Sequence, residues 1–430
     1  MQIFPYLLIL LVLLTLKVPI IVATGLITVA YILVQTSLPL DYIAVTVFQS
    51  LDQFTLLAIP LFIMTGSFMS SGGIAKHLLN LADKITGSFP GGIALATVVA
   101  CVFIADLTGS GPATVAAIGS ITIPAMIKRG YAPGFACAVA ACSGTLGVII
   151  PPSNPMIVYA VSGDVSIGRL FLAGFIPGLM LAVSMMIPIY VISKKRGYRG
   201  NERRATGREM LKAVWQAKWA LFVPVIILGG IYGGIFTPTE SAAVACLYSF
   251  IVGIWVYRDF SWGDIPRIIG RTLLLIGAIM PIIAFATTFG QVITLDGVPG
   301  ALAELVSSKV SSLWMLLVLI NIFLLFVGCF MEALAGIVLL TPLLLPMVTQ
   351  MGMNPTHFGM VMIVNLAIGL MTPPLGINLF VAQSLGGSGV RITETIKASV
   401  PLIACMLVCL LLLTYVPEFS LFLPNLFYGN

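Results

Sequence analysis

Charged side chains are scarce in this sequence, 8% of 430 residues, against about a quarter in soluble domains. Beside 59% hydrophobic residues, that shortage excludes a water-exposed globular fold and predicts an all-α polytopic membrane protein. At roughly 20 residues per span, the length allows about a dozen membrane segments and leaves no room for a folded extramembrane domain. Histidine is nearly absent, with His77 and His357 the two present, too few for a histidine-based metal centre. The seven cysteines (Cys101, Cys137, Cys142, Cys246, Cys329, Cys405 and Cys409) all fall in apolar segments without metal-ligand spacing and are read as packing residues. There is no serine-histidine pair, no paired aspartates and no His-Glu-x-x-His arrangement, so an intramembrane enzyme is disfavoured. The first apolar run, Ile3 to Leu16, has no basic residue before it and no small-residue cleavage site after it. It is therefore expected to be a retained span and not a signal peptide.

The charge that exists is concentrated. Nine of the 21 basic residues lie between Lys194 and Lys218, against only Glu202 and Glu209. The positive-inside rule puts this stretch, 193–218, in the cytoplasm, with a lipid-headgroup site as the alternative use of the same charges. The lipid bilayer is thus the expected surroundings, and no nucleic-acid partner is expected.

Two double prolines organise the remainder. Gly147-Val148-Ile149-Ile150-Pro151-Pro152-Ser153-Asn154-Pro155 is echoed 222 positions later by Gly369-Leu370-Met371-Thr372-Pro373-Pro374-Leu375-Gly376. A double proline removes two backbone donors and drives the preceding residue out of helical geometry, so each copy predicts a broken helix inside an apolar run. Further matches at the same offset join Pro124 to Pro346, Gly130 to Gly352, Pro133 to Pro355 and Ala160 to Ala382. Shifted slightly, Pro60 matches Pro281 and Lys84-Ile85 matches Lys309-Val310.

This spacing divides the chain into scaffold helices at 1–57, a first repeat at 58–192, the basic loop at 193–218, scaffold helices at 219–278, a second repeat at 279–415 and a tail at 416–430. Each repeat should hold a re-entrant hairpin (91–127 and 312–349) followed by a broken helix (131–161 and 355–386). The arms of the first hairpin are only about 15 residues each, short for a span. Ala44 to Met69 is expected to be one continuous span. Five crossings separate equivalent points, and an odd number inverts the second repeat. Lys128-Arg129 falls inside and its uncharged equivalent Gln350-Met351 outside, in agreement. Ten crossings in all would leave both termini outside.

A hairpin tip meeting a helix break gathers unpaired backbone dipoles into a cage suited to a monovalent cation. One sodium site is expected at Ala105, Thr108, Gly147, Ile150 and Pro152, and its symmetry mate at Gly328, Met331, Gly369 and Thr372. Most of these would bind through backbone carbonyls, with hydroxyls added by the threonines. The alternative is that these small residues only permit close helix packing. Ser110, Ser153, Asn154, Asn365 and Asn378 are polar groups near the breaks placed to contact a substrate. Half-helix N-termini at Ser110 to Ala113 and Ser153 to Met156 would favour an anion. Asp106 and Glu332 sit at or beside the tips, where a carboxylate either serves a proton or cation or is solvated by a vestibule. A continuous channel is disfavoured, because broken helices in an inverted repeat suit alternating access.

Along essentially its whole length the sequence resembles the large membrane subunit of the tripartite ATP-independent periplasmic (TRAP) transporters. The segments that carry the resemblance are Leu57 to Phe62, Thr108 to Ala117, Gly147 to Pro155, Thr237 to Ala243 and Thr372-Pro373-Pro374. The resemblance implies an inner-membrane protein that receives a small organic anion from a periplasmic binding protein. It also implies a driving sodium gradient, a small four-helix membrane partner, and an elevator movement of hairpins and broken helices against the rest. Asp106 departs from the family pattern, where an uncharged small residue is common. Glu240, in the Thr-Pro-Thr-Glu segment, is expected to cap its helix. A stand-alone sodium-coupled or antiporting carboxylate permease of similar fold is the alternative reading. The substrate's identity is not written in the sequence.

Overall fold

The computed structural model describes residues 4–16, 18–70, 74–201, 203–309, 312–387 and 389–429, with the side chains of residues 4, 7, 11, 14, 15, 70, 106–108, 303 and 305–309 outside that description. Among the described residues the fold is all helix, with no strand. Seven helices are long and apolar enough to cross a membrane, or nine if each sharply bent pair is one span. That tally includes both arms of the second hairpin and omits shorter helices such as Ile20–Gln35, so it does not itself fix the number of crossings.

The helices are apolar on their exposed faces as well as their buried ones, as a lipid surround requires. Ile20–Gln35 buries Ala23, Thr24, Ile27, Thr28, Tyr31 and Ile32 and exposes Val22, Leu26, Leu33 and Val34. Ile74–Thr86 has the opposite pattern, a sharply two-faced helix. Ile74, Leu78, Leu81 and Ala82 are buried on one side, one helical turn apart, as suits a helix at the membrane surface.

The repeat appears at the level of whole helices. The first hairpin has arms Gly92–Thr108 and Gly111–Lys128; the second has Leu313–Phe330 and Ala333–Gln350. Gly111 and Ala333 start equivalent arms 222 positions apart, and Lys128 and Gln350 end them at the same offset. The first broken helix runs Pro133–Gly144, Leu146–Ile149 and Asn154–Ser162, with a 43° bend at the break. The second runs Pro355–Gly369 and Ile377–Gly386. Packing between halves is reciprocal. Asn154–Ser162 lies against the second hairpin's Ala333–Gln350, and Ile377–Gly386 lies against the first hairpin's Gly111–Lys128. Such an exchange is what a two-fold relation between repeats produces.

Three expectations differ from the structure. The span expected over Ala44 to Met69 is instead Asp41–Leu51 and a second helix beginning near Phe54, bent by 59°. Asp52 and Gln53, both exposed, interrupt the apolar run, and a polar pair at that depth favours a break. The tail at 416–430, expected without any assigned element, contains a helix, Glu418–Tyr428, packed on Ile167–Arg196. The basic stretch 193–218 is largely helical, shared between the end of Ile167–Arg196 and the start of Gly207–Tyr232.

Candidate functional site

Each hairpin turns in two residues. In the first, Gly109 takes φ +55°, a conformation that costs glycine least, and donates its N–H to the Ala105 carbonyl at 3.2 Å. Ser110 is extended and caps the second arm; its carbonyl accepts the Thr114 N–H at 3.0 Å and the Thr114 hydroxyl at 2.8 Å. In the second, Met331 and Glu332 are both extended, and the Met331 N–H reaches the Val327 carbonyl at 3.1 Å.

The breaks form where the prolines remove donors. Ile150 leaves the helix at φ −83°, ψ 128°, and both Pro151-Pro152 and Pro373-Pro374 are cis. The Ser153 hydroxyl donates back across the first break to the Val148 carbonyl. At the second break the Thr372 hydroxyl donates to the Ile368 carbonyl at 2.8 Å, and the Asn378 N–H spans the gap to the Leu370 carbonyl at 3.0 Å. A hydroxyl spent as a donor keeps its lone pairs, so the Thr372 oxygen can still accept or coordinate.

Tips and breaks touch. A β-carbon built on Gly109 would lie 2.7 Å from the Asn154 amide nitrogen, and one on Gly111 would lie 3.1 Å from both side-chain polar atoms of Asn378. The first tip therefore sits between the two breaks, with Asn154 arriving after one and Asn378 after the other. At the second tip Gly328 meets Gly369 backbone to backbone, and a β-carbon on Gly369 would fall 2.5 Å from the Gly328 main chain. The Cys329 thiol donates to the Pro373 carbonyl at 3.5 Å.

Of the expected ion residues, Ala105, Gly147, Ile150 and Pro152 belong to the packed first arm and first break, since Gly92–Thr108 lies against Leu146–Ile149. Gly328, Met331, Gly369 and Thr372 belong to the second tip and second break. The Thr108 side chain lies outside the described residues. Of the expected substrate contacts, Ser110, Ser153, Asn154 and Asn378 gather at or beside the first tip. Asn365 does not. Its amide donates to Asn321 Oδ1 at 2.7 Å and to the Val361 carbonyl at 2.8 Å, so it faces the second hairpin's first arm.

The Oδ1 atoms of Asn154, Asn365 and Asn378 are all buried without a protein donor. Leaving such a group unsatisfied costs about 1–3 kcal/mol, so each is a place where a water, an ion or a substrate group would be held.

Other polar groups escaped sequence reasoning. Asn321 donates to Thr414 Oγ1 at 3.1 Å; the Thr414 carbonyl meets His357 Nε2 at 3.3 Å, and His357 Nδ1 meets Ser420 Oγ at 2.6 Å. Asn321 stands alone as a strongly polar side chain in Leu313–Phe330, and that isolation was the available signal. Positions 222 earlier hold Ser143, Val99 and Ile192 for Asn365, Asn321 and Thr414, so this network belongs to the second half alone. Glu240 forms a capping box: its carboxylate accepts the Thr237 N–H and hydroxyl, both at 2.8 Å, and its N–H donates to Thr237 Oγ1 at 3.3 Å. Glu332 occupies the cap position of Ala333–Gln350 and makes no capping hydrogen bond. The Asp106 side chain lies outside the described residues.

Repeated hairpins and broken helices, meeting around buried amide oxygens, define a multi-span membrane protein of transporter architecture and not an enzyme. The family model for the DctM component of tripartite ATP-independent periplasmic transporters matches residues 7–419, and the chain belongs to that family. It is a multi-pass inner-membrane protein. It is 49% identical to the isethionate TRAP transporter permease protein DctMQ of Oleidesulfovibrio alaskensis, over 94% of this chain and 64% of that one; the chain spans about two thirds of that relative's length. It is 43% identical to the C4-dicarboxylate TRAP transporter large permease protein DctM of Pseudomonas aeruginosa, over 89% of each chain. The fold matches the Alcanivorax borkumensis YdaH transporter with a TM-score of 0.66 at 16% identity, covering 94% of this chain and 98% of that one.

Proposed function

We propose that this chain is the large transmembrane subunit of a sodium-coupled importer of a small organic anion. The observation that carries the proposal is the convergence of both breaks on the first tip, with the Asn154 and Asn378 amides buried beside it. Amide N–H groups and half-helix N-termini suit a carboxylate or sulfonate. Bare amide oxygens, backbone carbonyls at the breaks and the lone pairs of Thr372 suit Na⁺ as the transported coupling ion. The sodium ligands proposed are Ala105, Thr108, Gly147, Ile150 and Pro152 in one half and Gly328, Met331, Gly369 and Thr372 in the other. Ser110, Ser153, Asn154 and Asn378 line the anion's place.

The two hairpins and two broken helices would move as a unit against the scaffold in an elevator-type cycle. A periplasmic substrate-binding protein delivers the anion, and a small four-helix membrane subunit completes the scaffold; family membership supports partners of both kinds. The names of the relatives make isethionate and C4-dicarboxylates the first anions to try.

The test is uptake into proteoliposomes holding this chain with its small subunit, with and without the binding protein, under an inward sodium gradient. Uptake is expected to need both sodium and the soluble protein. Transport without the soluble protein would favour the stand-alone permease, and transport indifferent to sodium would remove the ion from the account.

A further inference from the structure

On the basic side of the molecule the segment after Ile167–Arg196 folds back as a strap. The Tyr198 carbonyl accepts the Gly91 N–H at 3.0 Å, and the Asn201 N–H donates to the Gly87 carbonyl. The Tyr198 hydroxyl accepts the Ala132 N–H at 3.0 Å, and its ring stacks on Tyr131 with centroids 4.2 Å apart. Gly200 fits so closely that a β-carbon would fall 2.3 Å from the Phe89 carbonyl. The strap thereby ties the end of Ile74–Thr86 to the turn between first hairpin and first broken helix.

Beneath it opens a cleft of about 970 Å³ into which Lys84, Arg129, Arg199, Arg203 and Arg204 converge, with Asp83 and Glu209. Both acids are already engaged. Asp83 accepts the Asn201 amide at 3.1 Å, and Glu209 pairs with Arg203 at 2.8 Å and holds the Thr206 N–H at 2.9 Å. Arg129 reaches only a neutral partner, Asn201 Oδ1, at 3.2 Å. Glu202, next to the cleft in sequence, lies outside the described residues. Lys84, Arg129, Arg199 and Arg204 thus face one cavity with no carboxylate within ion-pair distance of them among the described residues, although the charge of Lys84 reaches the Glu209 carboxylate.

Topology alone requires basic residues on this side but not their convergence. Lys84 has a counterpart in Lys309, but the repeat does not supply the arginines: 222 positions after Arg129, Arg199, Asn201 and Arg204 stand Met351, Leu421, Leu423 and Leu426. Ile85 and Phe89, neighbours of lining residues Lys84 and Ser88, are 43% and 44% exposed.

We propose that this cleft binds a phosphate-bearing anion, held by Lys84, Arg129, Arg199 and Arg204. The phosphate belongs either to an anionic lipid headgroup or to a soluble phosphate compound. Arginine forks and a lysine point charge are the groups that recognise phosphate, and the volume accommodates more than the bare ion. Occupied, the site would bind the hairpin turn, the surface helix and the strap to one ligand.

The test is native mass spectrometry of the purified full chain with phosphatidylglycerol, with phosphatidylcholine as reference and inorganic phosphate as competitor. The variant K84Q/R199Q/R204Q is expected to lose preferential phosphatidylglycerol retention by about tenfold. The variant K194Q/K195Q/K212Q, with the same charge removed outside the cleft, should stay within about twofold of wild type. Phosphatidylglycerol retained against millimolar phosphate identifies a lipid headgroup. Binding of inorganic phosphate that the cleft variant alone loses, without lipid preference, identifies a soluble source. Equal loss in both variants, or no loss in the cleft variant, overturns the proposal.

Discussion

Asn378 shows how much one side chain is asked to do at this centre. Its main chain closes the second break on Leu370, its amide nitrogen donates to the Ala141 carbonyl at 3.3 Å in the other half, and its oxygen is buried without a protein donor. Replacing it with leucine, of the same branching and somewhat larger, removes the polar contacts without opening a cavity. Initial uptake of the anion by Asn378→Leu should fall by about tenfold or more, the equivalent of losing at least about 1.4 kcal/mol. Asn365→Leu, away from the first tip, should lose less uptake and more thermal stability, because it disconnects Asn321 and Thr414. Equal uptake by wild type and Asn378→Leu would remove Asn378 from the site. Sequence marked Asn378 and Asn365 alike, since both lie near a double proline. Only the folded chain separates them, because a helical side chain's direction depends on which neighbour its face meets.

At the scale of elements, helix breaks and hairpin arms were legible because proline and glycine act locally. The 222-residue offset seen at Pro151 and Pro373 recurs in arms that start at Gly111 and Ala333. The bend at Asp52-Gln53 was also written there, as two polar residues inside an apolar run, but an unbroken span was the simpler reading. Contacts between distant segments were not legible. Tyr198 against Tyr131, and Ser420 against His357, are clasps whose members gain meaning only when the segments meet. These clasps share a register: Ser420 and His357 stand 222 positions after Tyr198 and Phe135, and the Tyr198 and Phe135 rings lie 5.9 Å apart. Each half thus fastens the base of its broken helix with the segment that follows its last span, by a tilted ring contact in one and a hydrogen bond in the other.

The cap at Pro238–Ile251 is a separate, scaffold-level device. Thr237→Ala should cost about 1 kcal/mol of stability, visible as a lower melting temperature in detergent. The sodium and anion dependence of uptake should stay unchanged, and a shift in either would give the Thr-Pro-Thr-Glu segment a role beyond capping.

For the whole molecule the question is what moves. The two hairpins and two broken helices pack on one another through reciprocal contacts between halves. Against them stand helices such as Ile265–Leu295, with a cavity of about 380 Å³ between, lined by Gln53, Thr287 and Gln291 on one side and Ser162 and Val338 on the other. Where the surfaces do touch, a β-carbon on Gly290 would lie 3.4 Å from that of Pro342, close to the separation of about 3.5–4.5 Å that a disulfide spans. The most direct measurement is uptake by Gly290→Cys/Pro342→Cys in a background without the seven native cysteines, before and after oxidation. If the hairpin unit slides along Ile265–Leu295, the cross-linked protein should stop transporting and recover on reduction. Uptake by fully cross-linked protein at the reduced rate would contradict a moving unit and with it the elevator account.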